Sequence, residues 1–160
     1  MRGKLTLLSG VIAAGAVFVS AAASIAVAKP KATKITCHST VYYPTPTQPK
    51  GIGFAAFNCP KPGAGMGVQS ITYSATISTT GAVTANLAFK DWFDTGTTHG
   101  TASLTGQFTS ATTGTVKGPV TLTGGTGAYK ATKGNGTTSC STNDGGGIYT
   151  CTTLLKLTSL

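Results

Sequence analysis

From Gln69 onward the chain alternates: Ile71, Tyr73, Ala75 and Ile77 share one parity, and Ser70, Thr72, Ser74, Thr76 and Ser78 the other. Successive side chains of an extended chain point to opposite sides, so a period of two predicts strands with one face buried. The pattern repeats. After a turn at Thr79-Thr80-Gly81, Val83, Ala85, Leu87 and Phe89 share a face. Ala102, Leu104 and Phe108 alternate with Thr101, Ser103, Thr105 and Gln107, and Val116, Val120 and Leu122 alternate with Thr115, Lys117, Pro119, Thr121 and Thr123. A last strand runs through Tyr149, Cys151, Leu155 and Leu157, and segments 35–43, 51–59 and 134–142 bring the set to about eight.

No stretch carries a convincing helical period. The expected fold is therefore all-β, an antiparallel barrel or a two-sheet sandwich. The eight-stranded antiparallel β-barrel is preferred, because eight strands just enclose a side-chain-filled interior or one small ligand. Gly124-Gly125-Thr126-Gly127 and Gly134-Asn135-Gly136 fit sharp corners between strands. Pro119 counts against closure, since proline inside a strand pattern points to an edge or a bulge.

Composition narrows the classes. Of 160 residues only 9% are charged, 22 are glycine, and Asp91, Asp94 and Asp144 are the only acidic ones. Glutamate is absent. Charge-driven disorder is excluded, because 40% of residues are apolar and the mean hydropathy is positive. A coiled coil or helical bundle is excluded by the dominance of Gly and Thr. Chemistry by paired carboxylates is nearly excluded.

The first 28 residues read as a cleaved signal peptide. Arg2 and Lys4 precede an apolar run from Leu5 to Val19, and Ala26-Val27-Ala28 is a small-x-small cleavage site. The expected mature domain, residues 29–160, holds ten lysines against three aspartates, a net charge of +7. Its lysines are scattered and it has no arginine, the residue that best matches phosphate and base edges. Nucleic acid is therefore not an expected partner, nor is a membrane once the leader is removed. Lysines on a Thr-rich surface serve solubility and blunt strand edges.

Four cysteines in an exported chain predict two disulfides, with three pairings open. Local pairing is favoured by the turn signals. Cys140 and Cys151 flank Asn143-Asp144-Gly145-Gly146-Gly147, and Cys37 and Cys59 bracket the proline-rich stretch 44–51. Each bridge, Cys37–Cys59 and Cys140–Cys151, would staple a hairpin. Cys37-His38 lacks the spacing of a zinc site, and neither a metal nor a cofactor is expected.

The segment from Leu122 to Gly136 reads Leu-Thr-Gly-Gly-Thr-Gly-Ala-Tyr-Lys-Ala-Thr-Lys-Gly-Asn-Gly. It resembles the glycine-rich signature of dirigent proteins and allene oxide cyclases, and of their bacterial secreted relatives. Gly124, Gly125, Gly127, Tyr129 and Gly134 carry the likeness, which spans roughly residues 68–160, with Lys133 a mild departure. The resemblance implies a calycin-like or allene oxide cyclase-like barrel with a central cavity, often a homo-oligomer. The motif would be architectural: its glycines would permit positive φ and close approach, with Tyr129 and Ala131 tucked against the barrel end. Such proteins impose shape on a reactive ligand. Cyclases use a cavity glutamate, absent here, and dirigent proteins cavity Asp and Arg, of which the mature chain lacks Arg. The fold carries over better than the activity.

Asp91 is the first candidate for chemistry. On the strand 83–93 it shares a face with Leu87, Phe89 and Phe93, and a carboxyl desolvated among aromatics could act as acid or base. Asp94 falls on the opposite face. Trp92, the only tryptophan, alternates with Lys90 and Asp94 and could stack on a sugar. His99, placed after a turn at residues 94–98, and His38 read as surface residues.

The leading expectation is a secreted barrel holding a small apolar ligand, its pocket lined by Phe89, Tyr73, Leu87 and Phe93. Two other functions stay open. One is an isomerase or cyclase with Asp91 as catalytic acid or base. The other is a cell-wall or polysaccharide-associated surface module using Trp92 and the lysines.

Overall fold

A computed structural model describes residues 32–60 and 65–159. The expected signal peptide lies outside them. The chain forms β1 (Thr33–Tyr42), β2 (Lys50–Cys59), β3 (Gly65–Ile77), β4 (Ala82–Phe93), β5 (Gly96–Phe108), β6 (Gly114–Gly127), β7 (Lys133–Thr142) and β8 (Ile148–Ser159). Each strand pairs antiparallel with the next, and β8 returns to β1 from Thr33↔Leu157 to Tyr42↔Ile148. The barrel is closed.

Alternation decides which way each strand faces. In β5, Thr98, Gly100, Ala102 and Leu104 are buried, whereas His99, Thr101, Ser103 and Thr105 are exposed. The inward set of all eight strands merges into one core containing Ile35, Val41, Ile71, Val83, Leu122 and Leu157. Closure also removes every free strand edge.

Both disulfides form as the turn signals favour. Cys37–Cys59 staples β1 to β2, and Cys140–Cys151 joins directly opposed residues of β7 and β8. All four cysteines point inward, so the bridges are part of the core. Two such bridges fit an oxidising, extracellular type of environment. Among the described residues no helix is long and apolar enough to cross a membrane.

Three local expectations are corrected. Pro119 lies at neither an edge nor a bulge: it pairs with Thr137 of β7 inside the closed barrel, and the β5–β6 register shifts at His99/Gly100 instead. On its other side the β5–β6 ladder pairs Ala102 with Val120 and Thr105 with Lys117 but skips the two positions between. Proline's missing donor is absorbed by that interruption. The glycines expected at corners lie mostly within strands, Gly124 and Gly125 in β6, Gly134 and Gly136 in β7. The turn expected over 94–98 is shorter, since β5 begins at Gly96.

The turns gather at two ends. Segments 43–49, 78–81, 109–113 and 143–147 lie at one end, and those at 94–95 and 128–132 at the other. Tyr43 anchors the first end through edge contacts with Tyr73, at 5.0 Å between centroids, and with Tyr149, at 5.8 Å.

Candidate functional site

The barrel is not filled. Small inward residues such as Ala75, Ala85 and Ala102 leave space that larger side chains would occupy. The result is a cavity of about 360 Å³ running along the interior. That falls in the range of small-molecule pockets.

One end of the cavity is a throat. Ile77 lines the cavity yet is 54% exposed, so the space opens beside the end of β3. Pro46 of the β1–β2 turn and the ring of Tyr73 border it, and the Tyr73 hydroxyl donates to the Thr45 carbonyl at 2.8 Å. That hydroxyl holds the turn instead of pointing at a ligand. Burial, reinforced by Tyr149 and Tyr73, pushes the Tyr43 hydroxyl well above the usual tyrosine range, so it stays protonated. Burial, with Asp144 nearby, shifts Tyr149 in the same direction.

The other end is polar at its base. Asp91 is buried and faces inward from β4. Its Oδ1 accepts from Gln69 Nε2 of β3 at 2.7 Å, and its Oδ2 accepts from the Thr98 hydroxyl of β5 at 2.6 Å. Both donors are register partners, Gln69↔Asp91 and Asp91↔Thr98, so ladder pairing sets the geometry. Burial raises the carboxyl above its ordinary value, and the hydrogen bonds from Thr98 and Gln69 oppose the rise without cancelling it.

A third polar group sits at this end. Thr132 is 2% exposed, lines the cavity, and its Oγ1 has no hydrogen-bond partner. Buried hydroxyls are nearly always paired. It arrives there through the β6–β7 turn, where Ala128 N donates to the Thr95 carbonyl at 3.0 Å and Thr132 N to the Tyr129 carbonyl at 3.0 Å. Gly127 makes the fold-back with φ of 59°, and a Cβ there would strike the Thr95 carbonyl. Tyr129 then lies over Phe93, with centroids 4.7 Å apart, and Phe93 meets Phe57 edge-on at 5.2 Å.

Phe89, Tyr73, Leu87 and Phe93 all line the cavity, and Asp91 joins them. Of the glycine-rich segment, Tyr129 packs against the barrel end as expected, whereas Ala131 is exposed and Thr132 is the residue tucked inward. Trp92 faces out, 38% exposed, under the Lys90 ammonium at 5.3 Å from the ring centroid. His99 and His38 are exposed, the latter beside the Thr152 hydroxyl at 3.3 Å. Asp144 is exposed in the β7–β8 turn, its carboxyl held below the usual range chiefly by the Ile148 amide and then by the Thr142 hydroxyl. Among the described residues no three His, Cys, Asp or Glu side chains come together as a metal site.

Sequence reasoning passed over Gln69, Thr98 and Thr132. Register against Asp91 would have found the first two, but Thr98 was hidden by reading residues 94–98 as a turn. Thr132 ends the irregular β6–β7 turn, where periodicity gives no facing. No protein-family model, curated protein or solved structure matches the chain.

Proposed function

We propose that this is a secreted carrier-like barrel that binds a small, largely apolar ligand in its interior. The observation that carries the reading is the cavity of about 360 Å³, walled by aliphatic and aromatic side chains and open beside Ile77. A closed barrel with a fully packed core would fold as well, so the empty interior is a departure from close packing that stability does not require. The small inward residues keep it open. Export is supported by the apolar leader and by two disulfides. The glycine-rich segment, similar to that of dirigent proteins and allene oxide cyclases, supports a cavity that shapes its ligand.

Titration with the neutral naphthalene dye prodan tests the reading. A saturable, one-to-one rise in fluorescence is expected. Absence of saturable binding, with the fold intact by circular dichroism, would remove it.

A second reading is an isomerase or cyclase, favoured by one observation: Asp91, a carboxyl with a raised pKa, faces the ligand space. It would serve as proton donor or acceptor to a bound substrate. Turnover unchanged by Asp91→Asn would dispose of that role.

A further inference from the structure

The base of the cavity is a carboxyl without a cationic partner. Among the described residues no Lys, Arg or His lines the cavity, and Asp91 is its single charged group. Gln69 and Thr98 each donate one hydrogen bond to it, which leaves carboxylate lone pairs unused. Neither donor carries charge. A buried carboxylate held only by neutral donors bears a desolvation cost that a cation would offset.

The surroundings fit a cation. Phe57, Phe93 and Tyr129 form a continuous aromatic cluster at this end, and ring faces attract ammonium groups. Thr132 Oγ1, buried and unpartnered, is a free acceptor lining the same cavity. An ammonium head offers three donors and no acceptor. It complements a carboxylate, a hydroxyl oxygen and ring faces together. An alcohol has one donor to divide among them, and a fatty acid brings a carboxylate to a carboxyl that has no cation beside it.

The apolar body of such a ligand has a path. Gln69, opposite Asp91, and Ile77, at the opening, are eight residues apart on β3, about 26 Å along the strand. Ile71, Leu87 and Leu104 wall the space between.

We infer that the cavity selects organic amines, with a primary ammonium group seated on Asp91 at the polar end and an apolar chain extended toward Ile77. This rests on the pocket reading above and names its ligand class. Binding involves no covalent step.

The test is displacement of prodan from the purified, oxidised protein at neutral pH by n-octylamine, 1-octanol and octanoate. Charge-assisted bonds exceed neutral ones by an amount worth roughly tenfold or more in affinity, so octylamine should displace the dye at about a tenth of the octanol concentration or less. Octanoate should be the weakest. In Asp91→Asn the preference of amine over alcohol should shrink to about threefold or less, because the ionic part is gone. The wild-type series stands alone if that variant fails to fold. If prodan binds but octanol or octanoate matches octylamine, the amine inference is overturned and the pocket survives. If neither dye nor any of the three compounds binds, both fall.

Discussion

The Thr98 hydroxyl donates to Asp91 Oδ2 at 2.6 Å across a register pair of β4 and β5 that faces the interior. This bond and its counterpart from Gln69 let a carboxyl sit where 7% of its residue surface remains exposed. They do not make the site favourable for charge. Burial wins, and the carboxyl titrates above its ordinary value.

That sets a pH dependence. With the folded pKa raised, the native state holds this proton more tightly than the unfolded chain does. Its contribution to stability is full below the unfolded carboxyl value and is lost as pH rises through the folded one. Urea midpoints of the wild type minus those of Asp91→Asn should therefore fall with rising pH across the acid range and then level off. Asp144 slopes the other way in both proteins and cancels in the difference. A difference that is flat with pH would contradict the assignment.

Removing either disulfide should destabilise the barrel by about 3 kcal/mol, mainly through the freedom returned to the unfolded chain. The Cys37–Cys59 bridge closes a span of 22 residues and Cys140–Cys151 one of 11, so the former should cost slightly more. Equilibrium unfolding of the paired Cys→Ala variants checks this. No loss in either would show that the bridges constrain nothing.

Gly127→Ala combines a backbone conformation that L-residues avoid with a contact against the Thr95 carbonyl. A loss of about 1–3 kcal/mol is expected, together with displacement of Tyr129 from Phe93. Aromatic proton shifts of these two rings report the second effect. Unchanged stability and unchanged ring shifts would mean the turn can be made another way.

Strand count, inward faces and disulfide pairing were legible because each rests on local pattern. Alternation in β4 was enough to put Asp91 beside Phe89 and Phe93, and turn residues were enough to favour Cys140–Cys151. What escaped depends on neighbours far along the chain. Whether Pro119 breaks the sheet is decided by what β5 offers opposite it, and the glycines of β6 and β7 answer to backbones packed beside them. The cavity itself is a sum over eight strands. Single residues such as Ala85 or Ala102 read as ordinary small strand positions, and only closure turns them into empty space.

The most direct test places one phenylalanine on each side of β5. Ala102 faces the cavity and Thr101, beside it, faces solvent. Prodan binding should be lost in Ala102→Phe, whose ring fills the interior, and kept in Thr101→Phe. Binding retained by Ala102→Phe, or lost only in Thr101→Phe, would contradict an interior ligand site.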